Sequence, residues 1–179
     1  VPNANAYVIL GTIGSGKTVQ ATKLQDHTDG QTLSAGSLIR HALKEDPRVA
    51  NGELLPHEEV VSIMAEAIST VAESQPVFFD GFPRKLEQKR WLDEYLAKHN
   101  RPLAAVFYLQ VNEEEVDRRL AKRDRADDTP EAIANRKQWF IDDVMPVLDE
   151  YRNEGKLQVV NGNLSRDEVT KELFSLLGR

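Results

Sequence analysis

The sequence predicts a doubly wound α/β domain built on a five-stranded parallel sheet. Three observations carry this: five short apolar runs, helical stretches that separate them, and a glycine-rich loop directly after the first run. The runs occupy residues 6–10, 31–33, 76–80, 103–109 and 157–160, each apolar enough for a strand covered on both faces. Helical stretches over 17–25, 36–44, 56–73, 85–98, 113–122, 130–152 and 165–176 alternate with them. With 179 residues and no Pro/Gly/Ser-rich linker, the chain can bury one substantial core, so one domain over residues 1–179 is expected. Met64, Trp91, Trp139 and Phe140 read as core or helix-packing residues.

The first strand, Ala6-Tyr7-Val8-Ile9-Leu10, feeds Gly11-Thr12-Ile13-Gly14-Ser15-Gly16-Lys17-Thr18, the pattern G-x-x-x-x-G-K-T. Gly11, Gly14 and Gly16 let the backbone turn its N–H groups inward, and the helix that starts near Lys17 adds its unpaired amides and positive end. Such a nest suits a polyphosphate. Lys17 is placed to reach the β- and γ-phosphates, and Thr18 offers a hydroxyl to Mg²⁺. A plain glycine-rich turn with a surface lysine is the alternative; the strand before the loop and the helix-compatible Gln20–Leu24 after it argue against that.

Farther along, Phe78-Phe79-Asp80-Gly81-Phe82-Pro83-Arg84 ends an apolar strand in a carboxylate. This puts Asp80 at the C-terminal edge of the sheet, beside the phosphate loop, where it can hold Mg²⁺ through water. Arg84 presents a forked donor suited to a phosphate. The stretch Arg119-Leu120-Ala121-Lys122-Arg123-Asp124-Arg125-Ala126-Asp127-Asp128, with Arg136 in the next helix, gathers guanidiniums in an otherwise acidic chain. Arg119 and Arg123 are four apart and share a helical face; Arg125 lies in the loop beyond. Such a set can bind the equatorial oxygens of a transferring phosphoryl group, with Asp127 and Asp128 orienting it. A salt-bridged, solvated helix end is the other reading of this cluster taken alone.

Composition narrows the partners. Asp and Glu number 29 against 23 Lys and Arg, a formal charge of −6, which argues against broad electrostatic binding of nucleic acid and favours small molecules. The chain has no cysteine, which excludes disulfides and cysteine-ligated zinc. With no signal-peptide or transmembrane apolar run, a cytoplasmic setting is expected, without membrane partners. The chain opens Val1-Pro2-Asn3-Ala4-Asn5 rather than on methionine, which is compatible with processing, trimming or an incomplete sequence. No coiled-coil repeat or long apolar edge is evident, so a monomer is expected.

Taken in order, these motifs resemble the adenylate kinase family of nucleoside monophosphate kinases, in its short-lid form, over essentially the whole chain. The match runs through Gly11–Thr18, Leu33–Arg40, Asn51–Pro56, Asp80–Arg84 with Gln88, Arg119–Arg123, Arg125–Asp128 and Arg136. The resemblance implies a fold of the P-loop nucleoside triphosphate hydrolase type and reversible phosphoryl transfer from Mg·ATP to AMP, giving two ADP, with no structural zinc. It further implies donor-phosphate binding by Lys17 and acceptor-phosphate binding by Arg40 and Arg84. Arg119, Arg123, Arg125 and Arg136 would clamp the donor and transferred phosphates, and Asp80 would position hydrated Mg²⁺. A helical monophosphate-binding segment around 34–63 and a lid around 123–132 are the expected mobile parts.

The chain departs from the family at three places. Thr18-Val19 replaces Gly-Thr after the loop lysine, Ser37 stands where the family carries an aspartate, and almost nothing separates Arg123 from Arg125. Base selection reads two ways. Gln88, four residues after Arg84, matches the glutamine that adenylate kinases set against adenine; Ala35 matches the alanine common in UMP/CMP kinases, and Leu55 offers an apolar wall to either ring. Gly81 completes the expected acceptor site. A phosphate-loop protein that binds ATP as a switch is the remaining alternative.

Overall fold

Successive side chains along the central strands feed two cores, one on each face of the sheet. The computed structural model describes residues 4–177, so Val1–Asn3 and the last two residues lie outside the described residues. In chain order the elements are β1 (Ala6–Leu10), α1 (Lys17–Thr28), β2 (Gln31–Ser34), α2 (Ala35–Ala42), α3 (Pro47–Ala50), α4 (His57–Ser69), β3 (Val77–Asp80) and α5 (Leu86–Lys98). Then follow β4 (Leu103–Gln110), α6 (Glu113–Lys122), α7 (Pro130–Trp139), a π turn (Phe140–Val144), α8 (Met145–Asn153), β5 (Leu157–Asn161) and α9 (Arg166–Leu177).

The strands are parallel and stand in the order β2-β3-β1-β4-β5, the doubly wound sheet expected. Val8, Leu10, Val77, Phe79 and Val106 face the larger core, whereas Tyr7, Ile9, Phe78, Phe107 and Leu109 face the one that includes Ala21 and Leu24 of α1 and Val169 and Leu173 of α9. Tyr7 stacks between Phe78 and Phe107 there. One expectation fails at both edges of the sheet: Gln31 of β2 and Gln158 and Val159 of β5 are exposed, and each of these strands has a neighbour on one side only.

Two further differences have local causes. The stretch 130–152 is not one α-helix: Met145 N–H donates to the Phe140 carbonyl five residues back, and Pro146 supplies no N–H for the Asp142 carbonyl, so a wide turn forms between α7 and α8. The unpredicted α3 starts on Pro47 with Asp46 as its cap, the carboxylate accepting from Arg48 N–H at 2.9 Å. Arg48 also reaches Glu59 at 3.0 Å, which ties α3 to α4.

Arg101 closes the far end of the sheet. It is 5% exposed and donates to the carbonyls of Ala4, Gln75 and Ala72 at 3.0, 2.6 and 3.0 Å. Leucine there strands three carbonyls, so Arg101→Leu is expected to cost about 2–4 kcal/mol and to lower Tm by about 5–12 °C. Thermal unfolding followed by circular dichroism checks this; an unchanged Tm contradicts it.

Candidate active site

The register of the central ladder builds the site. Ile9 pairs with Asp80, and Gly81 N–H donates to the Ile9 carbonyl at 3.0 Å, so the loop after β1 and the loop after β3 leave the sheet side by side. Gly16 caps α1 with φ at 92°, a left-handed conformation that a side chain would strain. Within the loop Ser15 N–H donates to the Thr12 carbonyl at 3.1 Å, and Gly14 packs against Leu120. Ile13 joins Val116 and Leu120 in a small apolar cluster that seats the loop on α6.

Thr18 Oγ1 donates to Asp80 Oδ2 at 2.7 Å. Asp80 is 1% exposed, and its Oδ1 is buried without a hydrogen-bond partner, as is Ser15 Oγ. A buried carboxylate oxygen left in this state, beside a hydroxyl, fits a hydrated Mg²⁺. Among the described residues no group of three or more His, Cys, Asp or Glu forms a metal cage. Thr18 and Asp80 would therefore share the ion with phosphate oxygens and water. Lys17 Nζ lies 3.4 Å from the Thr12 carbonyl, and burial, opposed by Asp80, lowers its pKa to about 8.

One cavity opens at this edge. Lys17, Thr18, Asp80, Gly81, Arg84, Arg40, Arg123, Arg125 and Arg136 line it together with Gly11, Ile13 and Leu55. Arg84 Nε donates to the Gly81 carbonyl at 2.8 Å, and burial pushes its pKa down to about 10. Arg40 Nη2 donates to Ser37 Oγ at 3.3 Å, so a neutral hydroxyl stands where the family has a carboxylate. Burial lowers the Arg40 pKa, and nearby Arg125 adds to that.

Arg123 makes a bidentate pair with Asp128, and Arg136 bonds Asp127 at 2.8 Å and Asp128 at 3.2 Å. Arg125, exposed in the loop between α6 and α7, brings its charge to the same cavity. Arg119 is placed differently. It lies on the other side of the phosphate loop, donating to the Ser15 and Gly162 carbonyls at 3.1 and 2.6 Å, and lines a groove with Gly16, Val19, Gln20 and residues 162–166. Arg123 borders both spaces.

Gln88 and Ala35 do not line the cavity. Gln88 is fully buried behind Arg84, its Oε1 accepting from Arg84 N–H at 2.8 Å while its Nε2 has no partner. Ala35, also fully buried, starts α2 within the larger core. Trp139, read from sequence as a packing residue, does pack against that core but also forms a cavity wall, beside Val49 and Gly52. Its spacing of three from Arg136, which puts both on one helix face, was the available signal.

Comparison with known proteins accords with this geometry. The family model for adenylate kinase matches residues 9–156. An adenylate kinase 1 of Nostoc sp. is 35% identical over 179 residues, covering 96% of this chain and 97% of that protein. Adenylate kinases of Xanthomonas euvesicatoria and of a Mycobacterium species are each 35% identical over 184 and 180 residues, covering 96% of this chain and 98% of their own length. With the phosphate loop, Asp80 and the arginines on one sheet edge, the chain belongs to the adenylate kinase family and is an enzyme of that class.

Proposed function

We propose that this enzyme transfers the γ-phosphoryl group of Mg·ATP to AMP, reversibly, through the cavity and groove that meet at the phosphate loop. One observation carries the reading: Lys17, Arg40, Arg84, Arg123, Arg125 and Arg136 converge on a single cavity next to a separate groove that holds Arg119. Two anionic substrates need two such places, with the phosphates facing each other across the loop.

Lys17 and the loop amides hold the donor phosphates, and Arg40 and Arg84 hold the acceptor phosphate. An acceptor oxygen forms its bond to the γ-phosphorus as the bond from that phosphorus to the β–γ bridging oxygen breaks. Arg123, Arg125 and Arg136 bind the oxygens of the group in transit, and Lys17 stabilises the charge that moves onto the bridging oxygen. The acceptor is already ionised, so no general base is required. Thr18 and Asp80 would hold Mg²⁺ together with ATP, and the ion would supply charge neutralisation on the phosphates. The segment 34–63 and the short lid 123–132 close over the substrates and exclude water.

Gln88 supports AMP as acceptor. It is buried behind Arg84 rather than on the cavity wall, and its Nε2 donor has no partner among the described residues; closure of the segment 34–63 would have to bring adenine, whose ring nitrogens are acceptors, against it. Ala35, the residue shared with UMP/CMP kinases, is enclosed in the core. A coupled assay of Mg·ATP with AMP, CMP, UMP and GMP tests the assignment. AMP is expected to have the highest kcat/KM, and Gln88→Leu to erode the preference by about tenfold or more. A parent enzyme that favours CMP or UMP refutes it.

Lys17→Met should abolish most turnover while leaving the fold intact. The folded-state pKa of about 8 lies below the ordinary lysine value of 10.5, so the cost of burying the charge is fully present below pH 8 and fades as pH rises from 8 towards 10.5. The variant should therefore melt at or above the parent at pH 7, with the gap narrowing by about pH 10. Melting curves at both pH values, beside turnover at saturating ATP and AMP, check both halves; normal turnover contradicts the role given to Lys17.

Arg84→Ala and Arg40→Ala should weaken AMP binding by about 2–5 kcal/mol for a buried hydrogen-bonded pair, and ATP binding much less. Separate titrations with the two nucleotides decide it. Equal losses would place these arginines elsewhere.

A further inference from the structure

Trp139 touches two parts of the acceptor side at once. Its indole N–H donates to the Gly52 carbonyl at 3.0 Å, and the Arg84 guanidinium carbon lies 5.0 Å from the ring centroid. Gly52 sits in the turn between α3 and α4 with φ at 71°, and a Cβ there would come within 2.7 Å of the Ala132 carbonyl oxygen. Asn135, one helical turn before Trp139, donates to the adjacent Asn51 carbonyl at 2.8 Å. Thus α7 grips the 51–52 turn by two side-chain hydrogen bonds and a close backbone contact.

The contact with Arg84 has a physical purpose. Arg84 is desolvated, and the pull of Asp80 is opposed by the like charges of Arg40 and Arg136; an aromatic face attracts a guanidinium most strongly when water is excluded. The Gly81 carbonyl fixes one edge of that guanidinium through Nε, and the guanidinium carbon lies over the indole ring. Among the described residues the two terminal nitrogens of Arg84 have no hydrogen-bond partner, which leaves them for a ligand.

We propose that Trp139 is a positioning residue for the acceptor: it orients Arg84 towards the monophosphate and ties the turn that walls the acceptor pocket to the same point. This rests on reading Arg84 as the acceptor-phosphate ligand. A single side chain then sets both the phosphate end and one wall of the pocket before AMP arrives, and the site needs less reorganisation on binding.

Kinetics of Trp139→Phe and Trp139→Leu separate the two contacts. Phenylalanine keeps a ring face and loses the donor; leucine loses both. The KM for AMP is expected to rise about threefold with phenylalanine and about tenfold with leucine, while the KM for ATP stays within about twofold. In an Arg84→Ala background the step from phenylalanine to leucine should have no further effect, because the ring then has no cation to hold. Phenylalanine preserves most of the packing, and circular dichroism confirms that each variant is folded. An unchanged KM for AMP, equal rises for both nucleotides, or a phenylalanine-to-leucine step that persists without Arg84 makes Trp139 a packing residue and overturns the proposal. Arg84→Ala alone with an unaltered KM for AMP is the distinct result that removes the reading of Arg84, and this proposal with it.

Discussion

Ile9 stands opposite Asp80 in the β1–β3 ladder, and the placement of nearly every site residue follows from that register. It brings the end of β1, where the phosphate loop begins, next to the end of β3, where Asp80-Gly81 leads to Arg84. A slip of one residue would turn Phe79 out of the larger core and carry Asp80 away from Thr18. The cores on the two faces therefore hold the catalytic geometry as well as the fold. Because β1 has β3 on one side and β4 on the other, the loop lies at the crevice where the sheet's winding reverses.

Charge crowding is the second constraint. The chain is acidic overall, at −6, yet six cations line one cavity. Their repulsion is visible in Lys17, whose pKa is lowered by burial first and then, against the pull of Asp80, by Arg84, Arg123 and Arg125. Asp127 and Asp128 offset part of it by pairing with Arg123 and Arg136, whereas among the described residues Arg40 hydrogen-bonds only the Ser37 hydroxyl. Polyphosphate supplies the missing negative charge. The mutual repulsion of these cations thus becomes affinity for anionic substrates.

The clipped connection between α6 and α7 shifts the burden of positioning onto helix ends. Arg123 directly follows α6, Arg136 lies on α7, and the two aspartates between them lock both guanidiniums. The π turn after α7 keeps Phe140 and Val144 in the core while Trp139 and Arg136 reach the cavity. Helix α7 thereby joins the arginine cluster to the 51–52 turn.

The order of strands and helices, the phosphate loop and the clustering of arginines were legible in the sequence because each is local. Apolar runs of strand length, a glycine pattern and residues four apart on a helix carry their meaning within a few positions. Short capped α3 and the π turn also had local signals, Asp46-Pro47 and Met145-Pro146, but these interrupt periodic patterns and are masked by them. What the sequence did not reveal is long-range. That Arg119 faces a different space from Arg123, that Gln88 spends its carbonyl on the Arg84 amide, and that Trp139 holds Arg84 all depend on how α5, α6 and α7 pack on the sheet. The residue types and their order were determined by the chain alone; the direction each side chain takes, and the partner it meets, was decided only by tertiary packing, since contacts between residues 55 or 87 positions apart leave no trace in local periodicity.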